Sequence, residues 1–143
     1  MASRLNPYLN FDGNARQAME FYKSVFGGDL TISIYGEFAS PDATDTMNAM
    51  DANKIMHSQL ETPSGFTLMG ADNPPGQPFQ LGNNISISLS GDDAGELHGY
   101  WEKLSASGMV MVPLEKQMWG DEFGMCSDQF GIAWMVNIGQ PSS

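Results

Sequence analysis

His57 is the side chain in this sequence that is best suited to acid–base chemistry. An imidazole has an ordinary pKa near 6.5, so it can take up or release a proton around neutral pH. Glu61 lies four residues later on the same predicted strand, where the even spacing puts both side chains on one face, and Asp72 follows the next strand. His57 with Asp72 or Glu61 is therefore a candidate catalytic or metal-binding group. The alternative is a histidine that is hydrogen-bonded for structural reasons.

For His98, Cys126 and residues 128–131 the sequence favours a structural role over a catalytic one. His98 follows Leu97 at the edge of the apolar stripe of a predicted helix, which favours a surface or half-buried position. Cys126 is the only cysteine, so neither an intrachain disulfide nor a thiolate metal cluster can form, and without an adjacent cation we expect a buried, unreactive thiol. Residues 128–131 (DQFG) predict a tight turn with a structural role.

The apolar spacing predicts the same order of elements in both halves of the chain. In the first half it predicts a strand at 5–11, a helix at Ala15–Phe26 ended by two glycines, and strands at 30–35, Ile55–Glu61 and 66–71. In the second half it predicts a strand at 84–90, a helix from the N-cap Asp92 to residue 107, and strands at 109–114, 124–127 and 132–138. The polar segment 36–53 predicts a long loop. Each half therefore has the order βαβββ.

Strand alternation predicts one apolar and one polar face in each half. The residues placed on the polar faces are Asn6, Tyr8, Asn10, His57, Gln59, Glu61, Ser86, Ser88, Ser90, Ala133, Met135 and Asn137. Uncharged hydrogen-bonding groups beside methionines suit a small polar or aromatic ligand, and the alternative is a solvated outer surface. Trp119, between two predicted strands, is a candidate wall or gate of a pocket and equally a candidate core residue.

Composition limits the partners. The chain has 143 residues, 17 acidic and 6 basic, for a net charge of −11, which opposes binding to nucleic acid or to an anionic membrane surface. Residues 1–30 lack the basic-then-apolar pattern of a secretory leader, and no apolar run approaches the roughly 20 residues that span a bilayer. We therefore expect a cytoplasmic protein, and the 41% of apolar residues suffices for the core of one domain.

Three segments carry a resemblance to a known family. Residues 5–28 (LNPYLNFDGNARQAMEFYKSVFGG), 55–72 (IMHSQLETPSGFTLMGAD) and 119–138 (WGDEFGMCSDQFGIAWMVNI) resemble the PhnB-like branch of the vicinal oxygen chelate superfamily, which includes glyoxalase I, bleomycin-resistance proteins and extradiol dioxygenases. The resemblance implies an α+β fold, with one domain at 1–143 built from βαβββ modules at 5–71 and 84–138. It also implies a cup-shaped mixed sheet with helices on the convex face and the ligand on the concave face.

Members of this branch often carry the label 3-demethylubiquinone methyltransferase. Common S-adenosylmethionine enzymes have a glycine-rich turn between a strand and a helix of a doubly wound sheet. Here the paired glycines at 27–28 follow a helix, and the order of elements differs. We therefore set the methyltransferase activity aside.

Metal-dependent relatives place ligands on the first and last strands of each module. By the resemblance these positions fall at Asn6 or Pro7, Met69, Ser86 and Met135. None is histidine, aspartate or glutamate, the residues that bind zinc and similar divalent metals. The sequence therefore predicts no metal at this location and no cofactor.

Two functions follow from these observations. The first is a metal-free protein that binds a small molecule and acts by sequestration, with a homodimer implied by the resemblance. Its predicted ligand-binding residues are Asn6, Tyr8, Gln59, Met69, Asp72, Ser86, Ser88, Trp119, Met135 and Asn137, with His57 as the one candidate for catalysis. The alternative is a metal-dependent lyase, isomerase or dioxygenase that uses His57 with Asp72 or Glu61 and a displaced divalent metal.

Overall fold

Each half of the chain forms a four-stranded mixed sheet with one long helix. The computed structural model describes residues 3–38, 53–74, 78–82 and 84–140. It divides into two units, Met1–Gln80 and Leu81–Ser143. The α+β class and the repeated βαβββ order are confirmed, and the described residues of the first unit contain one additional short helix.

The first unit contains β1 (Tyr8–Phe11), α1 (Ala15–Phe26), β2 (Asp29–Ile34), α2 (Tyr35–Phe38), β3 (Ile55–Glu61) and β4 (Thr67–Asp72). Its sheet has the order β1-β4-β3-β2; β1 and β4 are parallel and the other pairs are antiparallel.

The second unit contains β5 (Ile87–Gly91), α3 (Ala94–Ala106), β6 (Met109–Lys116), β7 (Glu122–Ser127) and β8 (Ala133–Ile138). Its sheet has the order β5-β8-β7-β6, and β5 and β8 form its parallel pair.

Helix α1 covers one face of the first sheet because its apolar residues recur every three or four positions. The buried ones are Ala15, Ala18, Met19, Tyr22, Val25 and Phe26. The helix contacts β2, β3 and β4, whose side chains Leu60 and Leu68 are also buried. At its end, Gly27 adopts φ 75° and its N–H bonds to the Lys23 carbonyl, which ends the helix as predicted.

The Asp72 carboxylate joins three elements of the first unit. Its side chain is buried, Oδ1 accepts a hydrogen bond from the Ala15 N–H at 2.9 Å, and Oδ2 accepts one from the Ile55 N–H at 2.8 Å. The last residue of β4 therefore binds the first residues of α1 and β3. Because the N-cap residue Asn14 makes no side-chain cap bond, Asp72 supplies the acceptor from a distant part of the chain.

Asp128 fixes the turn between β7 and β8. Its buried Oδ1 accepts from the N–H groups of Phe130 at 2.8 Å and Ile132 at 3.1 Å, and its Oδ2 accepts from Trp134 Nε1 at 2.8 Å. Gly131 ends the turn with φ 88°. The predicted structural role of residues 128–131 is confirmed.

Gly28 and Gly108 lie at equivalent points of the two units, directly before β2 and β6. A Cβ at Gly28 would overlap the main-chain oxygen of Glu61, and one at Gly108 would overlap that of Ser127. Each glycine therefore allows the chain to cross closely over the end of a neighbouring strand.

Several predicted boundaries are wrong. β1 begins at Tyr8, so Asn6 and Pro7 precede it. β5 begins at Ile87 and not at residue 84, which leaves Ile85 79% exposed outside the strand. The helix N-cap is Asp93, whose side chain accepts from the Glu96 N–H at 3.1 Å, and not Asp92.

The chain after β2 also differs from the prediction. Tyr35 begins α2 instead of ending a strand, so the predicted loop at 36–53 starts within this short helix. Residues 39–52 of the predicted loop lie outside the described residues. In the part of the chain that the structure describes, no helix is long and apolar enough to cross a membrane.

We expect the substitution Asp72→Asn to lower the free energy of unfolding by about 2–4 kcal/mol, because one amide oxygen cannot accept both buried hydrogen bonds and the amide nitrogen would face a backbone donor. Urea unfolding followed by circular dichroism measures the change. The control Asp12→Asn removes an exposed carboxylate of the same unit and should change the value by less than about 0.5 kcal/mol. Equal stability of the two variants would contradict the role assigned to Asp72.

Candidate functional site

The face of the first sheet that points away from α1 carries the residues predicted to bind a ligand. We call it the helix-free face; it carries Tyr8, Asn10, Asp29, Thr31, Ser33, His57, Gln59, Glu61, Thr67, Met69 and Ala71. The alternate residues of the same strands, such as Ser58, Leu60 and Leu68, are buried on the helix side. All the helix-free-face residues except Ala71 are exposed or half-buried.

Four of these side chains form one row across the sheet. Met69 is paired with Tyr8 on β1 and with Gln59 on β3, and Gln59 is paired in turn with Thr31 on β2. Tyr8 is 46% exposed. The row therefore presents an accessible aromatic ring, a flexible thioether and a side-chain amide next to one another.

An aromatic group extends from this row. The ring centroids of Tyr8 and His57 are 5.8 Å apart, with their planes inclined by 33°. The hydroxyl of Tyr35 donates to the Asp72 main-chain oxygen at 3.2 Å. Burial raises the pKa of Tyr35, and the nearby Tyr8 and Asp72 raise it further, whereas Lys54 opposes the rise. The Tyr35 phenol therefore stays protonated and keeps its donor role.

Tyr35 is the residue of this group that the sequence predictions missed. The parity of residues 30–35 puts Tyr35 on the same side as Thr31 and Ser33, and Ser33 is paired with His57. Parity could therefore have suggested that Tyr35 lies near His57.

The structure does not bring His57 and Asp72 together. Asp72 points to the helix side, where both of its oxygens accept backbone hydrogen bonds, and His57 lies on the opposite face. The predicted pairing of these residues is wrong, and the Asp72 carboxylate is already committed within the fold. Glu61 does share a face with His57, and it accepts a hydrogen bond from Gln59 Nε2 at 3.0 Å.

The second sheet also has a face that points away from its helix. On this face Met135 is paired with Ser88 and Met125, and Asn137 is paired with Ser90 and Phe123. These are the predicted polar positions of β5 and β8, with the exception of Ser86, which precedes β5 and is exposed.

Two further contacts border this second face. Asn137 Nδ2 donates to Asp121 Oδ2 at 3.1 Å. Trp119 lies in the connection between β6 and β7, is 61% exposed, and has its ring 6.3 Å from that of Phe123. The core alternative for Trp119 is therefore wrong.

The donor set at the family's metal positions does not suit a divalent metal. Of the positions predicted from the resemblance, Met69 and Met135 lie on β4 and β8, whereas Asn6, Pro7 and Ser86 precede β1 and β5. The strand residues paired with the two methionines are Tyr8 and Ser88. These side chains supply no imidazole or carboxylate, the groups that such metals require. Within residues 3–38, 53–74, 78–82 and 84–140, no three histidine, cysteine, aspartate or glutamate side chains are grouped closely enough to hold a metal ion.

Cys126 and His98 lie away from these faces. Cys126 is fully buried on β7, where burial and then Asp128 raise the pKa of its thiol to about 11. At neutral pH the thiol is protonated, so the prediction of an unreactive cysteine is confirmed. His98 Nε2 lies 3.1 Å from Glu122 Oε1 with both side chains partly exposed, as predicted for a surface or half-buried position.

A depression of about 620 Å³ lies at the N-terminal end of α1 on the helix side of the first sheet. It is lined by Asp12, Gly13, Asn14, Arg16, Gln17, Asn53, Lys54, Ile55 and Asp72. The Asp72 oxygens at this position each accept a backbone hydrogen bond, from Ala15 and from Ile55, so this carboxylate holds the fold together.

Comparison with known proteins gives consistent matches over nearly the whole chain. Residues 3–137 match the model of the family described as 3-demethylubiquinone-9 3-methyltransferase. The crystal structure of protein PA1353 from Pseudomonas aeruginosa is 37% identical, covers 98% of this chain and 100% of that one, and superimposes with a TM-score of 0.80.

Two more distant structures share the fold. The PhnB protein from Bacillus cereus is 23% identical over 96% of this chain and 100% of its own, with a TM-score of 0.73. A glyoxylase/bleomycin resistance protein/dioxygenase domain from Frankia is 12% identical over 98% of this chain and 99% of its own, with a TM-score of 0.64.

Proposed function

We propose that this chain, which belongs to the 3-demethylubiquinone-9 3-methyltransferase family, binds a small molecule on the helix-free face and acts by sequestration. The family is the PhnB-like branch of the glyoxalase/bleomycin resistance/dioxygenase superfamily. The chain does this without a metal and without transferring a methyl group. Each described sheet has a single parallel strand pair, so the doubly wound parallel sheet that holds S-adenosylmethionine in the common enzymes has no counterpart in these elements.

The observation that carries the proposal is the row of Tyr8, Met69 and Gln59 with His57 beside it. A half-exposed tyrosine ring offers a large apolar surface at a small cost in side-chain entropy. The methionine adapts its shape to a bound molecule, and the amide and imidazole can fix its orientation by hydrogen bonds.

Catalysis has less support. A general base needs a partner that orients it, and Asp72, one of the two carboxylates predicted for this purpose, is bound to backbone amides. The other, Glu61, is bound to Gln59. We therefore assign His57 to ligand positioning, and we do not favour the alternative of a metal-dependent lyase, isomerase or dioxygenase.

A small-molecule fragment library screened by thermal shift should yield aromatic fragments that raise the Tm of the wild-type protein. For such a fragment we expect Tyr8→Ala to raise the Kd about tenfold, because the ring contact is worth about 1.4 kcal/mol. His57→Ala should weaken binding in the same direction. The control Leu5→Ala, at a residue 99% exposed, should leave the Kd unchanged. Fragments that bind both site variants as tightly as wild type would rule out this face.

Protein purified without metal-affinity resin should contain well below one equivalent of any transition metal, because the strand positions offer hydroxyl and thioether groups in place of imidazole and carboxylate. Elemental analysis of the purified protein measures this. Stoichiometric zinc, nickel, iron or manganese would contradict the metal-free part of the proposal.

We further propose that the protein is a cytoplasmic homodimer. The lone buried thiol of Cys126 is compatible with a reducing compartment. For the dimer, β6 offers a suitable surface: it is an edge strand, and Met109, Val110 and Met111 are 67%, 45% and 48% exposed. Such a strand can pair with the same strand of a second copy about a two-fold axis.

Light scattering on the purified chain should give about twice the 15.5 kDa of one copy. The substitution Met111→Lys should shift the protein toward the monomer, because it places a charge in the paired strand. Ile85→Lys makes the same change at an apolar residue that is 79% exposed outside the strands, and should leave the dimer intact. A dimer that survives Met111→Lys would move the interface away from β6.

A further inference from the structure

We infer that the ligand of the helix-free face is a planar aromatic cation of two or three fused rings that carries hydrogen-bond donors. The inference rests on the proposed function, since it concerns the same face. Three properties of the face carry it: its charge, the direction of its hydrogen bonds and the distance between its aromatic and acidic ends.

The charge of the face is negative and is not balanced within the sheet. Strands β1 to β4 contain no lysine or arginine. Of their three carboxylates, Asp72 is buried on the helix side, whereas Asp29 and Glu61 are exposed and paired with each other across β2 and β3. Like charges directly opposite one another on a sheet repel, so a bound cation beside them would relieve a cost that the free protein carries.

The hydrogen-bonding groups near these carboxylates act mainly as acceptors. Gln59 Nε2 already donates to Glu61 Oε1 at 3.0 Å, and the Thr31 hydroxyl lies 3.4 Å from the Gln59 main-chain oxygen, to which it donates. The carboxylates of Asp29 and Glu61 can only accept hydrogen bonds, and Gln59 offers its amide oxygen beside the second hydrogen of its amide nitrogen. Acceptors of this kind select a ligand with N–H donors, and a charged donor binds a carboxylate most strongly.

The aromatic end of the face lies on β1. One strand, β4, separates Tyr8 from Gln59, so their backbones are about 10 Å apart, and the acidic residue Glu61 lies two residues further along β3, about 12 Å from Tyr8. Two or three fused rings have this length. Met69 lies between the two residues and offers a thioether floor for the rings.

The rings of Tyr8 and His57 would contact such a ligand in a favourable way. Tyr8 is 46% exposed, and the face of a phenol ring attracts a delocalised cation. An aromatic anion would make the same ring contact but would be repelled by Asp29 and Glu61. The charge of the ligand is therefore the property that the face discriminates.

Three fluorescent probes separate these properties. Proflavine is a three-ring cation with two amino groups, acridine orange has the same rings and charge with its amino hydrogens replaced by methyl groups, and 8-anilinonaphthalene-1-sulfonate is an aromatic anion. Titration of the full chain should show proflavine binding about tenfold more tightly than either of the others.

Matched variants locate the binding. Glu61→Gln should weaken proflavine binding about tenfold, because it removes the charge but keeps an acceptor for Gln59. Glu20→Gln makes the same change at an exposed position of α1 and should alter the Kd by less than about twofold. Tyr8→Leu should also weaken binding about tenfold, whereas Tyr8→Phe, which keeps the ring, should stay within about twofold of wild type.

The outcomes distinguish this inference from the proposed function. If the anion binds as tightly as proflavine, or if Glu61→Gln has no more effect than Glu20→Gln, while Tyr8→Leu still weakens binding, the cationic ligand class is overturned and binding at the helix-free face stands. Equal affinity for proflavine and acridine orange would overturn the requirement for amino-group donors, because both cations keep the N–H of the ring nitrogen. If Tyr8→Leu binds every probe like wild type, the helix-free face is not the site and both proposals fail.

Discussion

The first unit depends on one buried carboxylate at the end of β4. Burying a charge is costly, and here the cost is offset by two short hydrogen bonds from backbone N–H groups and by the positive end of the α1 dipole. Because these donors belong to the first residues of α1 and β3, the Asp72 side chain sets where both elements begin. The register of β3 in turn decides which of its residues lie on the helix-free face.

The second unit meets the same need with different residues. Asp128 is also buried, but it accepts three hydrogen bonds where Asp72 accepts two, and its donors are backbone N–H groups of the turn that follows it and the indole of Trp134. At the position of Asp72, the last residue of β8 is the apolar Ile138. The two units therefore share the order of their elements and the glycines at which the chain crosses a neighbouring strand. The buried carboxylate that holds each unit together occupies a different position in each.

The sequence predicted an element well wherever the spacing of its apolar residues agreed with the glycines or turn residues that end it. The bounds of α1 and β3 were correct because buried residues recur at helical spacing up to a pair of glycines, and because a turn follows Glu61. One error arose because the alternation of apolar and polar residues continues beyond the hydrogen-bonded part of the strand. Ile85 fits the alternation of β5, but the pairing of β5 with its parallel partner β8 begins only at Ile87. A strand ends where its partner ends, and that information is not local.

The same limit applies to the candidate site. Parity correctly put Tyr8, His57, Gln59 and Glu61 on one type of face, because alternation needs no knowledge of the partner strands. It could not show that both Asp72 oxygens are bound to amide groups of residues far away in sequence, so a carboxylate that serves the fold was given a functional role. The strand pairing and the hydrogen bonds had to be known before each carboxylate could be given either a functional or a structural role.

These two roles divide the acidic residues of the first sheet by face. On the helix side, a buried carboxylate whose two oxygens each accept a backbone hydrogen bond stabilises the fold. On the other side, Asp29 and Glu61 repel each other in water, where solvent screening keeps the cost small. A ligand that covers them would remove that screening and strengthen every charge interaction beneath it. The repulsion between Asp29 and Glu61 therefore costs little while the face is exposed to water, and it favours a cationic ligand once the face is covered. Such a surface binds selectively without a metal or a catalytic group.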